Sequence, residues 1–253
     1  MKGKFKLNHL IVHLILLVGV IVVVFPFAWM ILTSFKTSGE AMKIPPTIFP
    51  EKFVTTAYHT IVTSAIPFAT VYMNTIITTV VTTLVQIVFC SMAGYAFGRI
   101  EFPFKNAIFI LVLSVLMVPG QIFLLPQYQI VQKLGLLDTI PALFLPNLFS
   151  AFGTFLLRQF FMSLPKELEE AAIVDGCGRF RIFAQIMLPL IKPGIVAMSI
   201  FTIKFAWNDF MWPLIVNTDL NMMTLSSGLA TLRGQFSTDF PTLMAGSLLA
   251  MIP

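Results

Sequence analysis

The chain has 253 residues, of which 57% are hydrophobic and only 11% are charged. A soluble domain carries roughly 25% charged residues, because its surface has to be wetted. The composition therefore excludes a soluble enzyme, a secreted disulfide scaffold and a disordered chain. The formal net charge of +5 is interpreted as the Lys/Arg excess of cytoplasmic loops rather than as a site for an acidic partner. The sequence predicts an all-α integral membrane protein.

The first apolar run, residues 14–34, contains no charged residue and is long enough to cross a bilayer, which takes about 20 residues. Lysines precede it, as in a signal peptide, but the run exceeds the usual apolar core of one and lacks a small-residue cleavage site. We therefore predict a retained first helix. The polar stretch 36–63, rich in Pro, Thr and Lys, predicts an extramembrane loop.

Further apolar runs predict four more spans and a last segment that is too short to cross. The second run ends in a dense group of small residues at 93–98, which predicts close packing of helix backbones in lipid. The third is interrupted at Pro119 and Pro126, which predicts a broken helix beside protein or a water-filled cavity, or a helix at the membrane surface. In chain order, the runs are residues 71–97, 106–132, 139–157, 193–216 and 243–253.

The positions of Lys and Arg predict the sidedness of these spans. With a cytoplasmic N-terminus, ten Lys and Arg residues lie on the cytoplasmic side and five on the outer side, while Lys204 falls within the fifth run. Because cytoplasmic loops carry the excess of Lys and Arg, the N-terminus is predicted to be inside. The polar segment 163–192 then faces the cytoplasm as well.

Segment 163–192 predicts two short helices joined at a glycine. Ser163 is the predicted N-cap of the first helix, three glutamates follow near the positive end of its dipole, and Gly176 is predicted to end it. The second helix, from about Arg179 to Met187, is expected to run until Pro189 and Pro193 interrupt it. The residues alone leave two interpretations open, namely docking into a partner protein and an ordinary amphipathic loop.

Segment 163–192 contains Glu-Ala-Ala, three residues, Gly, nine residues and Ile-Met-Leu-Pro. This spacing resembles the signature loop of ABC-importer permeases, which lies between the fourth and fifth of six spans and inserts into a cleft on the cytoplasmic ATPase of that family. The residues that this resemblance assigns to ATPase coupling are Glu170, Ala171, Ala172, Asp175, Gly176, Ile186, Leu188 and Pro189.

Neighbouring segments are similar to the carbohydrate branch of these permeases, closest to the smaller permease subunit of the maltose-type importer. The resemblance covers nearly the whole chain and implies the six-span permease fold, with the sixth span truncated and cytoplasmic coupling helices. It divides the chain into an N-terminal span with a periplasmic loop, residues 1–69, and a permease core, residues 70–253. The segments that carry it are residues 118–121, 133–139, 156–168 and 207–210.

The resemblance also implies the function and the partners. It predicts the permease subunit of an ATP-driven carbohydrate importer in the bacterial inner membrane, paired with a second permease, preferably as a heterodimer. Two ATP-binding cassette subunits and an extracellular or periplasmic sugar-binding protein complete the assembly. ATP and Mg²⁺ are expected on the partner subunits, and this chain is expected to hold no catalytic group, cofactor or metal.

Charges within the fifth run predict a candidate translocation pathway. Lys204 and Asp209 interrupt this run, where a charge costs about 2.5–3.5 kcal/mol and usually faces a bundle interior or water. In one interpretation polar and aromatic side chains line the sugar route; in the other, Asp209 pairs with another chain and the aromatic residues, above all Trp212, form an interfacial belt. The candidate pathway residues are Trp207, Asn208, Asp209 and Phe210.

Other function classes fit less well. A permease for a non-sugar solute stays open as an alternative. An ion-coupled secondary transporter would need intramembrane carboxylates and inverted repeats, and only Asp209 qualifies. An intramembrane enzyme would need paired catalytic groups, whereas the three histidines lie at span edges or in loops. Cys90 and Cys177 predict neither a disulfide framework nor a metal site.

Overall fold

The structure is a computed structural model that describes residues 2–233 and 238–252, and no β-strand occurs among them. The predicted all-α fold is confirmed. The α-helices are α1 (Lys2–Ser34), α2 (Ser38–Ala41), α3 (Thr56–Thr60), α4 (Phe68–Arg99), α5 (Lys105–Ser114), α6 (Leu124–Lys133), α7 (Ile140–Phe144), α8 (Ala151–Ser163), α9 (Glu167–Val174), α10 (Arg179–Arg181), α11 (Leu188–Leu190), α12 (Lys192–Asn208), α13 (Met211–Val216), α14 (Leu225–Ala230) and α15 (Phe240–Ala250). Single turns of 3₁₀-helix and two π-helical segments, Ile61–Ala65 and Ile182–Met187, connect some of them.

Two helical segments of the described chain are long and apolar enough to cross a membrane on their own, His9–Ser34 within α1 and the whole of α4. Three bent pairs pass the same test, so that up to five spans are available, and α15 is a shorter apolar helix. The first pair breaks at Pro119, as predicted. The pairs are Lys105–Met117 with Gly120–Lys133, bent by 98°, Ile140–Asn147 with Ala151–Ser163, bent by 49°, and Arg179–Leu190 with Lys192–Asn208, bent by 76°.

The chain divides into two compact units. One unit contains Met1–Ala69 and Gly228–Pro253, and the other contains Thr70–Ser227. Residues 228–253 thus group with the N-terminal segment 1–69 in one compact unit.

In the first unit, the loop after α1 is organised around Glu40, a buried carboxylate. One carboxylate oxygen of Glu40 accepts hydrogen bonds from the hydroxyl of Thr47 and from the backbone N–H of Glu51, both at 2.8 Å. Although burial raises the pKa of Glu40, these bonds and the nearby Lys36 outweigh it and hold the pKa below its ordinary value. The carboxylate therefore fixes the loop in its charged form.

In the second unit, α4 and α8 approach closely at glycines. A β-carbon at Gly94 would lie 3.0 Å from the backbone nitrogen of Arg158, and one at Gly98 would lie 3.4 Å from the β-carbon of Phe161. The absence of side chains at these two positions lets the backbones meet. The close packing predicted for residues 93–98 is confirmed.

Polar side chains also join the helices of this unit. Gln86 of α4 donates to the carbonyl of Asn147 at 2.6 Å and accepts from the hydroxyl of Thr202 of α12 at 2.9 Å. Both Gln86 and Thr202 are buried. Because a buried polar group is costly unless it is paired, this bridge favours one register of the three segments.

Candidate functional site

The polar segment 163–192 begins with a short helix, α9, whose first turn is acidic. Glu167, Glu169 and Glu170 occupy this turn, where negative charge is favoured by the helix dipole. The predicted N-cap, Ser163, is wrong: Ser163 is the last residue of α8, and its hydroxyl donates to the carbonyl of Phe160 at 2.8 Å. The extended backbone of Leu164, which precedes a proline, separates the two helices.

Gly176 ends α9 in a left-handed turn, as predicted. Its φ is +76°, and its N–H bonds to the carbonyl of Ile173 at 3.0 Å. The next N–H, that of Cys177, reaches back to the carbonyl of Ala172 at 2.9 Å. This pair of bonds is a Schellman motif, which satisfies the last carbonyls of the helix and favours glycine at its left-handed position.

The second helix of the segment continues further than predicted. It runs from Arg179 to Leu190 and contains the π-helical turns Ile182–Met187. Pro189 lies inside its last turn and Pro193 inside the first turn of α12, so the predicted end at Met187 is wrong and the break falls between the two prolines, at Ile191. Because Pro189 has no N–H, the α-helical ladder cannot be regular here, and the preceding wide turn is closed by the N–H of Leu188 bonding to the carbonyl of Phe183.

One face of the segment is built into the core of its own unit. Ala172, Ile182 and Met187 are buried, and Ile186 and Leu188 pack against the same cluster while partly exposed. Aromatic rings from three helices meet there, with Tyr95 lying 5.4 Å from Phe161 and 5.2 Å from Phe183 between ring centroids. The full cluster of buried residues is Cys90, Tyr95, Leu157, Phe161, Ala172, Ile182, Phe183, Met187, Ile191 and Met198.

The opposite face of the segment is open and partly apolar. Of the residues assigned to coupling by resemblance, the structure exposes Glu170, Ala171, Asp175, Gly176 and Pro189, whereas Ala172 faces inward. The sequence interpretation missed three exposed apolar side chains beside them. These are Ile173, Val174 and Phe180, with exposed fractions of 55%, 87% and 73%.

Contiguous exposed apolar side chains of this kind mark an interaction surface. A signal for them was available in the sequence: apolar residues flank a helix-ending glycine in an otherwise charged loop. We call the exposed residues 170, 171, 173–176 and 180 the outer face of the loop.

Two arginines that the sequence interpretation did not assign bond to backbone carbonyls here, Arg99 to the start of the segment and Arg158 between α8 and α4. Arg99, the last residue of α4, donates to the carbonyl of Leu164 and, at 3.4 Å, to that of Pro165. Arg158 of α8 donates to the carbonyl of Phe97 at 3.0 Å. Their only sequence signal is their position at the ends of apolar runs.

The candidate pathway residues lie where α12 ends. The fifth apolar run was predicted as one continuous helix, and this is wrong: α12 stops at Asn208, Asp209 has an extended backbone, and the short helix α13 follows. The Asp209 carboxylate lies beside the backbone N–H groups of Trp212 and Phe210, at the start of α13.

The structure brings three of the four candidate pathway residues together. Asn208, Asp209 and Phe210 line an open pocket of about 590 Å³, together with Lys204. Trp207 does not line this pocket, since its ring meets the edge of Tyr72 with 5.7 Å between centroids. The remaining lining residues are Phe201, Phe205 and Met211.

Trp212 is not an interfacial aromatic residue, and that prediction is wrong. Its side chain is buried, and the indole N–H donates to the carbonyl of Ala142 at 2.9 Å. It belongs to a second cluster of buried residues: Val131, Ala142, Leu143, Trp212 and Val216.

Next to this cluster, hydrogen bonds to Asp138 join two loops that are far apart in the sequence. The Asp138 carboxylate accepts the backbone N–H groups of Asp219, at 2.9 Å, and Thr218. These bonds hold the pKa of Asp138 below its ordinary value. Within the described residues, no group of three or more His, Cys, Asp and Glu side chains is placed to hold a metal ion.

Comparison with known proteins identifies the family and supports the fold. Residues 90–252 match the family model described as binding-protein-dependent transport system inner membrane component. The arabinooligosaccharides transport system permease protein AraQ of Halalkalibacterium halodurans is 38% identical, over 92% of this chain and 84% of that protein. The sn-glycerol-3-phosphate transport system permease protein UgpE of Rhizobium meliloti is 33% identical, over 99% of this chain and 92% of that protein.

A solved structure shares the fold. A chain of a bacterial ABC transporter involved in the import of the acidic polysaccharide alginate matches with a TM-score of 0.87, covering 99% of this chain and 94% of that chain at 18% identity. The predicted ABC-importer permease fold is confirmed. Since the family model spans residues 90–252 and relatives above 30% identity cover nearly the whole length, the chain belongs to the family of binding-protein-dependent transport system inner membrane components.

Proposed function

We propose that this chain is a permease subunit of an ATP-driven carbohydrate importer and that its loop 163–192 transmits the ATPase stroke to the membrane helices. The observation that carries this proposal is the two-sided construction of the loop. Ala172 and Met187 are buried in the unit's own core, while Val174 and Phe180 stand exposed on the outer face. A load applied to the outer face reaches the helices because the inner face is packed among them.

The outer face suits a cleft on a cytoplasmic ATPase subunit. Ala171 and Gly176 are exposed and small, so a partner backbone can approach closely, and Ile173 and Val174 supply apolar area. A β-carbon at Gly176 would meet nothing within 4 Å, which leaves room for the partner. On this proposal ATP and Mg²⁺ bind to two such ATPase subunits, and a second permease and an external sugar-binding protein complete the importer.

The pocket at the end of α12 is the proposed contact with the cargo. Asn208 and Asp209 offer amide and carboxylate groups to sugar hydroxyls, and Phe210 offers an aromatic face to a pyranose ring. A carbohydrate cargo is further supported by the arabinooligosaccharide permease relative at 38% identity.

A phosphorylated small solute is the second candidate cargo. Lys204 lines the same pocket as Asp209, and a relative at 33% identity is named for sn-glycerol-3-phosphate transport. Transport in proteoliposomes would separate the two candidates: Lys204→Gln should abolish uptake of a phosphorylated solute and leave uptake of a neutral oligosaccharide largely intact.

The coupling role is tested on the outer face rather than on Ala172, because an arginine at that buried position would damage the chain's own core. Ala171→Arg should leave the chain in the membrane and remove both the bound ATPase subunits and binding-protein-stimulated ATP hydrolysis. Ala171→Ser keeps the small size and is the matched control, expected to behave like wild type. Normal ATPase recovery with Ala171→Arg would refute docking at this face.

Sidedness is tested separately. In a chain lacking both native cysteines, Arg181→Cys places a thiol at an exposed position of the loop. An impermeant maleimide should label it only after the cells are opened. Labelling of intact cells would show that the loop faces outward.

A further inference from the structure

A second concave site lies beside the loop, at the end of the bundle where α4 finishes and α5 begins. It is a pocket of about 520 Å³, within the range of about 300–1,000 Å³ that is usual for small-molecule sites. Four cationic side chains line it and a single acidic one, Glu101. The cationic residues are Arg99, Lys105, Arg158 and Lys166.

The lining of this pocket contains four cations and one carboxylate. Lys105 and Glu101 form an ion pair at 3.1 Å, which leaves the other three cations without an acidic partner in the lining. Cations gathered around one concavity repel one another, and an anion between them relieves that repulsion.

The two arginines are held in place by groups that do not neutralise them. Arg158 bonds to the carbonyl of Phe97, and its guanidinium carbon lies 4.4 Å from the ring centroid of Phe109. Arg99 bonds to the carbonyls of Leu164 and Pro165. Each guanidinium has five N–H donors, and the Nε of Arg99 is buried without a hydrogen-bond partner among the described residues.

The first turn of α5 adds neutral donors to the same pocket. Asn106 and Ala107 belong to this turn and line the pocket. Amides in the first turn of a helix have no intrahelical acceptor, and the helix dipole favours an anion there. Fixed guanidinium groups and helix-end amides together fit the oxygens of a phosphate.

Two of the residues that line the pocket are apolar and exposed. Phe104 and Met162 line the pocket with exposed fractions of 80% and 48%. Further along α5, Ile110 and Leu111 are 66% and 70% exposed, in a segment apolar enough to lie in the membrane. An anionic group bound here would therefore sit directly beside hydrocarbon.

We propose that this pocket binds the phosphate headgroup of an anionic phospholipid, with the acyl chains lying along the exposed apolar flank of α5. Basic pockets of this kind at the membrane surface recognise such headgroups. The site stands beyond the proposed transport function. It concerns the lipid environment of the permease and does not depend on which cargo the importer carries.

The test uses the intact importer complex in nanodiscs of phosphatidylcholine alone or of phosphatidylcholine with phosphatidylglycerol. Native mass spectrometry counts the phosphatidylglycerol retained by the complex, and the thermal midpoint is measured in parallel. The double variant Lys105→Gln with Lys166→Gln should retain phosphatidylglycerol about thirtyfold less tightly, since two cationic side chains of the lining are removed. Lys192→Gln removes an exposed charge from the same loop, outside the pocket, and is the matched control.

Further measurements distinguish a bound lipid from a soluble phosphate and from a protein contact. Inorganic phosphate added to phosphatidylcholine nanodiscs should not reproduce the stabilisation; if it does, the site holds a soluble phosphate and not a lipid. The charge-preserving Lys105→Arg with Lys166→Arg should retain phosphatidylglycerol, which excludes a folding defect. Unchanged retention in the Gln variant, or loss of ATPase subunits from it in phosphatidylcholine alone, would overturn the proposal, the latter by assigning the pocket to a protein contact.

Discussion

Gly194 of α12 lies against the ring of Phe160 of α8, so closely that a β-carbon at Gly194 would stand 2.5 Å from Cδ2 of the ring. The same β-carbon would be 2.6 Å from Cγ. Atoms in folded proteins do not approach this closely, so the contact between these two helices requires glycine at position 194.

Gly194→Ala should therefore destabilise the complex. Overpacking of a tight contact costs about 1–3 kcal/mol, and the thermal midpoint of the purified complex should fall accordingly. Gly39→Ala is the matched control, because a β-carbon there meets nothing within 4 Å. Equal midpoints for the two variants would show that Phe160 moves aside without cost.

Gly176→Ala should weaken coupling while the complex still assembles. The left-handed φ of +76° costs a residue with a β-carbon about 1–2 kcal/mol, so the turn that orients the outer face is lost in part of the population. Binding-protein-stimulated ATP hydrolysis at equal complex yield measures this effect.

Two companion variants sharpen the test of Gly176. Gly176→Asn should recover part of the activity, because Asn tolerates the left-handed region. Gly178→Ala should match wild type, since Gly178 has an ordinary φ of −69°. Equal loss with Gly176→Ala and Gly178→Ala would indicate that loop flexibility, and not the turn, matters.

The hydrogen bonds accepted by Asp138 should make the stability of the protein depend on pH in the acid range. The hydrogen bonds from Asp219 and Thr218 lower the pKa of folded Asp138 below 3.8, so its contribution is present above that pH and is lost as the pH falls through the folded pKa. Asp138→Asn should thus be less stable than wild type at neutral pH, with a difference that narrows below pH 3.8.

Limited proteolysis of the loops measures this difference in stability between Asp138→Asn and wild type, in steps of about one pH unit from about pH 3 to about pH 7. A gap between Asp138→Asn and wild type that stays constant over this range would contradict the assignment of the acid sensitivity to Asp138.

Asp209 should separate a structural role from a role in transport. Asp209→Asn keeps a side-chain oxygen beside the N–H groups at the start of α13, whereas Asp209→Leu removes it. If the oxygen also accepts hydroxyls of the cargo, Asn should retain part of the transport and Leu little. Uptake into proteoliposomes is compared at equal complex yield, and undiminished uptake with Asp209→Leu would remove Asp209 from the pathway.

Local backbone rules predicted part of the site correctly. The end of α9 at Gly176 could be predicted because a left-handed turn after a short helix favours glycine whatever lies around it. The small residues at 93–98 predicted close packing because small side chains let a helix backbone approach its neighbour, whichever helix that neighbour is. Ser163 was misassigned because a serine before a proline fits both a helix start and a helix end.

Features that depend on distant residues could not be predicted. Trp212 is buried because its indole N–H meets the carbonyl of Ala142, 70 positions earlier in the chain, and no local pattern contains that pairing. The inward orientation of Ala172 depends likewise on Tyr95 and Phe161, which belong to other helices. The helix break at Asp209 could not be predicted because the apolar residues on both sides of it form one continuous run in the sequence.

A bend of 76° at Ile191 separates α12 from the second helix of loop 163–192, Arg179–Leu190. Ile191 is 1% exposed, so the bend itself is packed in the core. A rigid arm of 17 residues is about 25 Å long, and tilting it by about 10° carries its far end by about 4 Å. If loop 163–192 acts in coupling as proposed, a small rotation of its second helix displaces the far end of α12 at Asn208, where the pocket lies.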